Sequence, residues 1–411
     1  MVGSVRNAAL PIALLLTGYI SDRWGRRTAF CVFSGCAGTL GLVKSFSRDY
    51  HMLVAFEFLE AALGYGFNSA GYVMVVESAL PSQRAAFACA TGVAYGLGGM
   101  LFALLAWRLQ YWRKLLRAVY APALLLPLYW ILVDESPRWL YATARRKRAG
   151  AVLRKAAQWN KKTIDEDIMK TIESGLERSA DDPAGGEGDG VNPWLELVRS
   201  HVLMMRFAVC SWCWVAAAFA YYGLTINSVS LSDDKYTNFA LNMAMEVVAS
   251  LLLMMALERF GRKKSVFFSF LLCGVACVMP HFVFHKGTGL GLFFLGKLAI
   301  TFAFNSMYVF TAELFPTRTR SSALAACSLV GRLGSIAATQ TPLLSMYVQA
   351  TLYGASSLLA ALAVVLVPET RRASLPLQLR DAEHLRAPPR VPPLPAPPPP
   401  APSTRVFSAD I

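Results

Sequence analysis

The chain has 411 residues, 55% of them apolar and only 16% charged, and its mean hydropathy is +0.42. Soluble domains carry about 25% charged residues, so the composition excludes an ordinary water-soluble enzyme and points to the bilayer. The net charge of +14 fits a nucleic-acid binder only if it gathers on one basic face, and its distribution along the chain argues against that.

Apolar stretches able to span a bilayer are predicted at 2–20, 29–45, 51–77, 86–107 and 115–134, then at 202–231, 236–257, 265–284, 289–313, 322–346 and 349–367. The first is poor, with Arg6 and Asn7 near its outer end and Pro11 inside it. It runs through Gly18 into Asp22-Arg23-Trp24-Gly25-Arg26-Arg27. So tight a reversal between helices needs a residue without Cβ, which assigns the turn to Gly25. Arg26 and Arg27 hold that turn on one face, and Asp22 is expected to meet a neighbouring helix N-terminus, whose dipole favours an anion by about 0.3–1 kcal/mol. The third stretch, FEFLEAALGYGFNSAGY onward, carries Glu57 and Glu60 and ends at Glu77.

After the fifth stretch comes Glu135-Ser136-Pro137-Arg138-Trp139-Leu140. From Arg138 to Lys162 the segment is basic with no acidic residue, and Trp139, Leu140, Val152, Leu153 and Trp159 supply its apolar groups. A short basic helix against anionic membrane lipid is expected, each surface cation contributing about 1 kcal/mol. The acidic, Gly-rich SADDPAGGEGDG that follows reads as a flexible hinge.

The second half repeats the first. Gly25, Glu77 and Glu135 return as Gly261, Glu313 and Glu369, at separations of 236, 236 and 234 residues. Around Gly261 lie Arg259 and Arg262, and around Glu313 runs TAELFPTRTRSSA. Parallel halves of this kind mark a transporter built from two helical bundles. The expected fold is an all-α membrane protein with about eleven spans of a twelve-helix plan, the first being absent. The expected units are an N-terminal bundle at 1–134, a connector at 135–201, a C-terminal bundle at 202–367 and a tail at 368–411.

Most of the 40 Lys and Arg residues fall on the face that holds the Gly25 and Gly261 turns, the connector and the tail. The positive-inside rule makes that face cytoplasmic and removes the need for nucleic acid. The eight cysteines lie within or at the ends of apolar spans, so Cys210-x-x-Cys213 reads as packing. The tail is Pro-rich at 388–402, and Arg386-x-x-Pro389-x-x-Pro392 fits an SH3-ligand spacing that chance also produces.

These motifs, in this order, resemble the organic cation and anion transporters, solute carrier family 22 of the major facilitator superfamily, over about 1–372. The resemblance implies transport of small organic ions at the plasma membrane by alternating access, with membrane lipids as surroundings and neither cofactor, metal nor enzymatic reaction. It implies a gate built from Gly18, Asp22, Arg23, Gly25, Arg26, Arg27, Glu77, Glu135, Arg259, Gly261, Arg262 and Glu313, the turn latching the inner gate in the outward-open state.

Arg332, in SLVGRLGSIAA, is the strongest substrate residue by position alone, because a charge at membrane depth costs at least about 2.5 kcal/mol. It aligns with a site that is Arg in the family's anion transporters and Asp in its cation transporters, which implies an anionic substrate; a structural pairing with a glutamate is the other reading. Tyr221 and Tyr222 match cavity-lining aromatics, Lys297 matches a family lysine, and Asn305 faces either a ligand or an adjacent helix. Three positions depart from the family. Glu57 stands for an arginine, Glu60 for a glycine, and Ser250 for the lysine usual in anion transporters. Lys297 and Arg332 are the expected partners for the reversed charge of Glu57. These departures leave a second reading open, a membrane receptor or regulatory pseudo-transporter that keeps the fold without turnover.

Overall fold

Two single-residue turns organise the architecture. In the computed structural model, which describes residues 2–78, 84–161, 169, 200–231, 234–282, 286–316 and 320–370, helix α1 (Val2–Trp24) meets α2 (Arg26–Lys44) at Gly25. Gly25 adopts φ 102°, and Gly261, where α11 (Lys235–Phe260) meets α12 (Arg262–Val278), adopts φ 93°. Side chains cost roughly 1–2 kcal/mol in this left-handed region, so both turns require glycine.

The remaining helices of the first half are α3 (Tyr50–Gly64), α4 (Gly66–Ser78), α5 (Arg84–Leu109), α6 (Trp112–Ala123) and α7 (Tyr129–Leu132). Two short helices follow, α8 (Pro137–Ala142) and α9 (Arg146–Trp159). The second half holds α10 (His201–Asn227), α11, α12, α13 (Lys286–Leu314), α14 (Arg320–Ala338) and α15 (Met346–Val365). Local signals set several of these starts. Ser136 caps α8 with Pro137 at its first position, and Ser200 accepts from Leu203 N–H at the head of α10. Asp234 caps α11, and hydrogen bonds from Thr237 and Tyr236 hold its carboxyl below the usual carboxylate range.

Seven helical stretches are long and apolar enough to cross a membrane: Ala86–Leu109, Trp112–Leu132, His201–Ser230, Lys235–Leu257, Arg262–His281, Gly287–Leu314 and Met346–Val365. The other four expected spans are also largely helical, and each carries at least one charged residue within its length. α1 holds Arg6, α2 holds Lys44, α3 holds Glu57 and Glu60, and α14 holds Arg332. Helices α10 and α12 to α15 pack around one large core containing Trp214, Phe270, Ile300, Met307, Phe310 and Tyr353. The first half packs through small residues instead: a Cβ on Gly64 would press on Ala37, and one on Gly66 would strike Thr17 and Phe33.

The halves meet along two helix pairs, α5 with α11 and α1 with α14. Gly92, Gly96 and Gly99 form a stripe on α5 that lies against Ser250, Val247 and Met243. On α1, Ser4, Asn7, Leu15, Gly18 and Asp22 share one face by helical periodicity. At the end far from the gate turns, Ser4 Oγ lies 2.8 Å from Thr339 Oγ1 and the Ser335 hydroxyl donates to Asn7 Oδ1 at 3.2 Å. Toward the gate turns the same face is open. Leu15 is 77% exposed, a Cβ on Gly18 would meet nothing within 4 Å, and the Asp22 side chain is 76% exposed. The two halves therefore close at one end and part at the other. The acidic hinge, the Pro-rich tail and Arg386, Pro389 and Pro392 lie outside the described residues.

A Cβ on Gly25 would also collide with Glu135 Oε2 and come 3.2 Å from the Trp139 ring. Gly25→Ala is expected to reduce folded surface protein severalfold, whereas Gly18→Ala leaves it near wild type, as read by surface biotinylation and size-exclusion of the solubilised protein.

Candidate functional site

Each of the two turns is held by the same two interactions. Glu135 Oε1 accepts hydrogen bonds from the backbone N–H groups of Arg26 (2.9 Å), Arg27 (3.0 Å) and Ser136 (3.0 Å). Its counterpart Glu369 accepts from Arg262 N–H at 2.9 Å and Lys263 N–H at 3.3 Å. Each carboxylate thus sits on the N-terminus of the helix behind its turn, where unsatisfied N–H groups and the dipole favour an anion. The arginine after each glycine then grips a glutamate: Arg26 Nε lies 3.2 Å from both oxygens of Glu77, and Arg262 Nε lies 3.1 Å from Glu313 Oε1. Arg27 donates to Val133 O at 3.2 Å and stacks over Trp130 at 4.4 Å. Asp22 differs from expectation. Its carboxylate pairs with Arg26 at 3.0 Å, because Glu135 already occupies the helix terminus. Among the described residues Arg23 reaches Tyr19, and Arg259 is exposed.

The divergent acids find partners that their sequence positions conceal. Arg6 NH1 lies 2.6 Å from Glu57 Oε1 and 2.8 Å from Glu60 Oε2. Lys44 Nζ lies 2.8 Å from Glu57 Oε2 and 2.8 Å from Glu60 Oε2. Two cations and two anions close a neutral square inside the first half, with the Tyr120 ring 5.2 Å from Lys44. Neither Lys297 nor Arg332 takes part, contrary to the expectation from sequence. Arg6, which makes the first span look poor, belongs to this network, and Lys44 at a helix end reads in sequence as an interfacial cation.

Lys297 is fully buried and pairs with Glu246 at 2.8 Å, donates to Thr225 Oγ1 at 2.8 Å, and lies 3.5 Å from the centre of the Tyr221 ring. Tyr221 is itself buried and stacked on Phe304 at 5.1 Å, so it backs the cavity wall while Tyr222 faces forward. Glu246 belongs to a stripe of buried polar residues on α11, Asn238, Asn242, Glu246 and Ser250, one per turn. Neither amide atom of the Asn242 side chain has a partner among the described residues. Ser250 faces Gly92, and its hydroxyl donates to Glu246 O at 2.8 Å. A lysine side chain has no room there, since even a Cβ on Gly92 would collide with the serine hydroxyl.

Arg332 stands apart. Its guanidinium lies 5.8 Å from the centre of the Tyr65 ring, with Tyr222 and Tyr308 as further phenolic neighbours. No carboxylate pairs with it among the described residues, which removes the glutamate pairing considered from sequence. It lies twelve residues into α14, about 18 Å along the axis at 1.5 Å per residue. Tyr308 is 42% and Tyr95 61% exposed at this depth, so the phenols line an open cavity rather than a packed core. Asn305 is half-buried near this wall. Tyr65 was missed in the sequence because an aromatic residue in an apolar span reads as packing; the flanking Gly64 and Gly66 are the signal, since they press the other side of the helix inward.

The profile of the Sugar (and other) transporter family matches residues 1–378. The chain belongs to that family. It is similar to solute carrier family 22 member 1 of Bos taurus, 28% identical over 391 residues that make up 92% of this chain and 67% of the relative. The organic cation transporter protein of Drosophila melanogaster is 28% identical over 90% of this chain and 68% of its own length. The β-alanine transporter of the same fly is 29% identical over 89% of this chain and 61% of its own. The chain therefore spans about two thirds of the length of these relatives. Among solved structures, the inward-open conformation of the xylose transporter XylE from E. coli superposes with a TM-score of 0.71 at 17% identity, covering 92% of this chain and 87% of that one. The protein is a multi-pass membrane transporter of the major facilitator kind, and its relatives are transporters rather than enzymes.

The charge square yields a sharp expectation. Glu57→Arg leaves three cations facing one carboxylate, and stranding buried charge costs about 3–5 kcal/mol. Surface abundance of Glu57→Arg is expected to fall at least tenfold, with Glu57→Gln intermediate, both measured by surface biotinylation.

Proposed function

We propose that the protein carries small organic anions across the plasma membrane by alternating access, with the gate-turn face and the C-terminus in the cytoplasm. The observation that carries this reading is the contrast among charges at membrane depth. Arg6, Lys44, Glu57, Glu60, Glu246 and Lys297 are all paired, whereas Arg332 faces phenols in an open cavity with no carboxylate partner among the described residues. An unneutralised cation in a low-dielectric cavity is costly until an anion arrives, so it selects for one. The Glu246–Lys297 pair is neutral and leaves the cavity's net charge to Arg332. Tyr222, Tyr65 and Tyr308 offer hydroxyl donors and apolar faces for the body of the substrate, and Asn305 a further polar contact.

With the gate turns inside, the open end described above faces the cytoplasm and the contacts of Ser4 and Asn7 with Thr339 and Ser335 close the outer side. The gate residues, including Gly18 on the open face of α1, then serve the opposite closure. The reading as a non-transporting receptor drew part of its support from Glu57, and the compensated square withdraws that part. The Pro-rich tail retains the spacing for an SH3-type partner as a separate proposal.

Arg332→Asp is expected to abolish uptake from a labelled organic anion panel while leaving surface abundance within about twofold of wild type, since no buried ion pair among the described residues is broken. Arg332→Lys is expected to keep a fraction of uptake, the charge remaining but the planar fork being lost. Undiminished anion uptake by Arg332→Asp would contradict the assignment. Epitope tags at Gly186 and after Ile411 are expected to stain only after permeabilisation; staining of intact cells would reverse the orientation.

A further inference from the structure

Helices α8 and α9 form a basic hairpin that the transport site does not use. Trp139 and Leu140 of α8 pack against Ala149 and Val152 of α9, which fixes one face of α9 inward. The hairpin is bolted to the first gate turn. The Trp139 indole N–H donates to Asp22 O at 2.9 Å, and the Arg145 guanidinium lies 4.9 Å over the Trp139 ring. Along the edge of that packed face α9 presents Arg148, Lys155 and Trp159, which share a stripe by helical periodicity, with Lys147 further round toward solvent. Lys147, Arg148 and Lys155 are exposed, and Trp159 is 82% exposed. The segment from Arg138 to Lys162 contains no acidic residue, and of Lys147, Arg148 and Lys155 only Lys155 is paired with an acid among the described residues, Asp134.

The height of this face is set by a salt bridge. Lys155 Nζ lies 2.7 Å from Asp134 Oδ2, just past the end of the Trp112–Leu132 span. That span packs one side against α2, and none of its apolar window is fully buried, so its other side is left to lipid. The bridge therefore holds α9 where a lipid-facing helix leaves the bilayer, and Trp159 follows one turn later. An indole at this level with cations around it is the chemistry of an interfacial anchor. A shallow depression lined by Arg145, Arg146, Lys147 and Arg148 opens on the same hairpin.

We propose that the exposed face of α9 docks on the anionic phospholipid headgroups of the membrane in which the protein sits, with Trp159 entering the interface. The setting at an inner leaflet rests on the cytoplasmic assignment made above. The contact itself does not, because a nanodisc presents the same lipid to both faces of the protein, and no substrate is involved. Failure of the lipid test therefore leaves the transport reading intact, and the reverse also holds.

The test uses the full chain in nanodiscs of phosphatidylcholine alone or with about a third phosphatidylserine. Thermal unfolding is expected to shift up by several degrees in the anionic discs. Lys147→Glu combined with Arg148→Glu is expected to remove that shift while preserving the value in phosphatidylcholine. Brominated phosphatidylcholine is expected to quench Trp159, read as the wild-type signal minus that of Trp159→Phe. This second measurement needs no charge variant and decides the question if the double variant fails to fold. Equal shifts in variant and wild type, no shift in wild type, or an unquenched Trp159 would overturn the proposal. So would an equal shift produced by inorganic phosphate in neutral discs, which would make the site one for free anions. Absence of lipid dependence would hand this face to a soluble acidic partner.

Discussion

A carboxylate on the N-terminus of the helix behind each gate turn is the interaction on which the rest depends. Glu135 and Glu369 come from the segments that follow the last helix of each half, yet they bond to backbone N–H groups of α2 and α12. Each therefore ties the end of its half back to a turn more than a hundred residues earlier. At the first turn Gly25 has to lack a Cβ for the carboxylate to approach, and at each turn Arg26 or Arg262 extends the clamp to Glu77 or Glu313. A charge-assisted bond at a partly buried helix terminus contributes up to about 2 kcal/mol. Because the clamp is contained within each half, each can move as a unit while the contacts between halves change.

Charge placement divides the molecule into parts that hold shape and a part left free. The square of Arg6, Lys44, Glu57 and Glu60 satisfies four ionisable groups at once, and the Glu246–Lys297 pair satisfies two more. Breaking either leaves an orphan in a medium that solvates it poorly, so both act as structural fixtures. Arg332 lacks such a partner among the described residues, and its neighbours are polarisable phenols. Ser4 and Asn7 sit on the same turn of α1 as Arg6, so the square also steadies the strip that meets α14. The open face at Leu15, Gly18 and Asp22 leaves a matching strip uncommitted at the other end of that helix.

The repeat made the fold legible, because glycine, arginine and glutamate recur at one separation wherever the chain must turn and clamp. Arg332 was legible as a candidate, from its depth in an apolar stretch and the small residues Gly331, Gly334 and Ser335 beside it. Partners were less so. Glu57 meets Arg6 at a separation of 51 residues, and no spacing rule links two helices that merely pack side by side. Asp22 and Glu135 are both acids near the same helix terminus, and only the path of the chain after α7 decides which arrives. Tyr65 and Tyr308 could not be told from packing aromatics, because cavity and core use the same side chains. Ser250 reads as a lost lysine until the close approach of α5 shows that a larger residue has no space.

Alternating access, as proposed, has two internally clamped halves rocking about the cavity of Arg332, so that contacts closing one end must break in each cycle. Paired cysteines at Ser4 and Thr339, whose oxygens lie 2.8 Å apart, test it most directly. The account predicts that oxidation joins the pair, stops uptake of the labelled anion, and that reduction restores it. Full uptake with the pair quantitatively joined would contradict it.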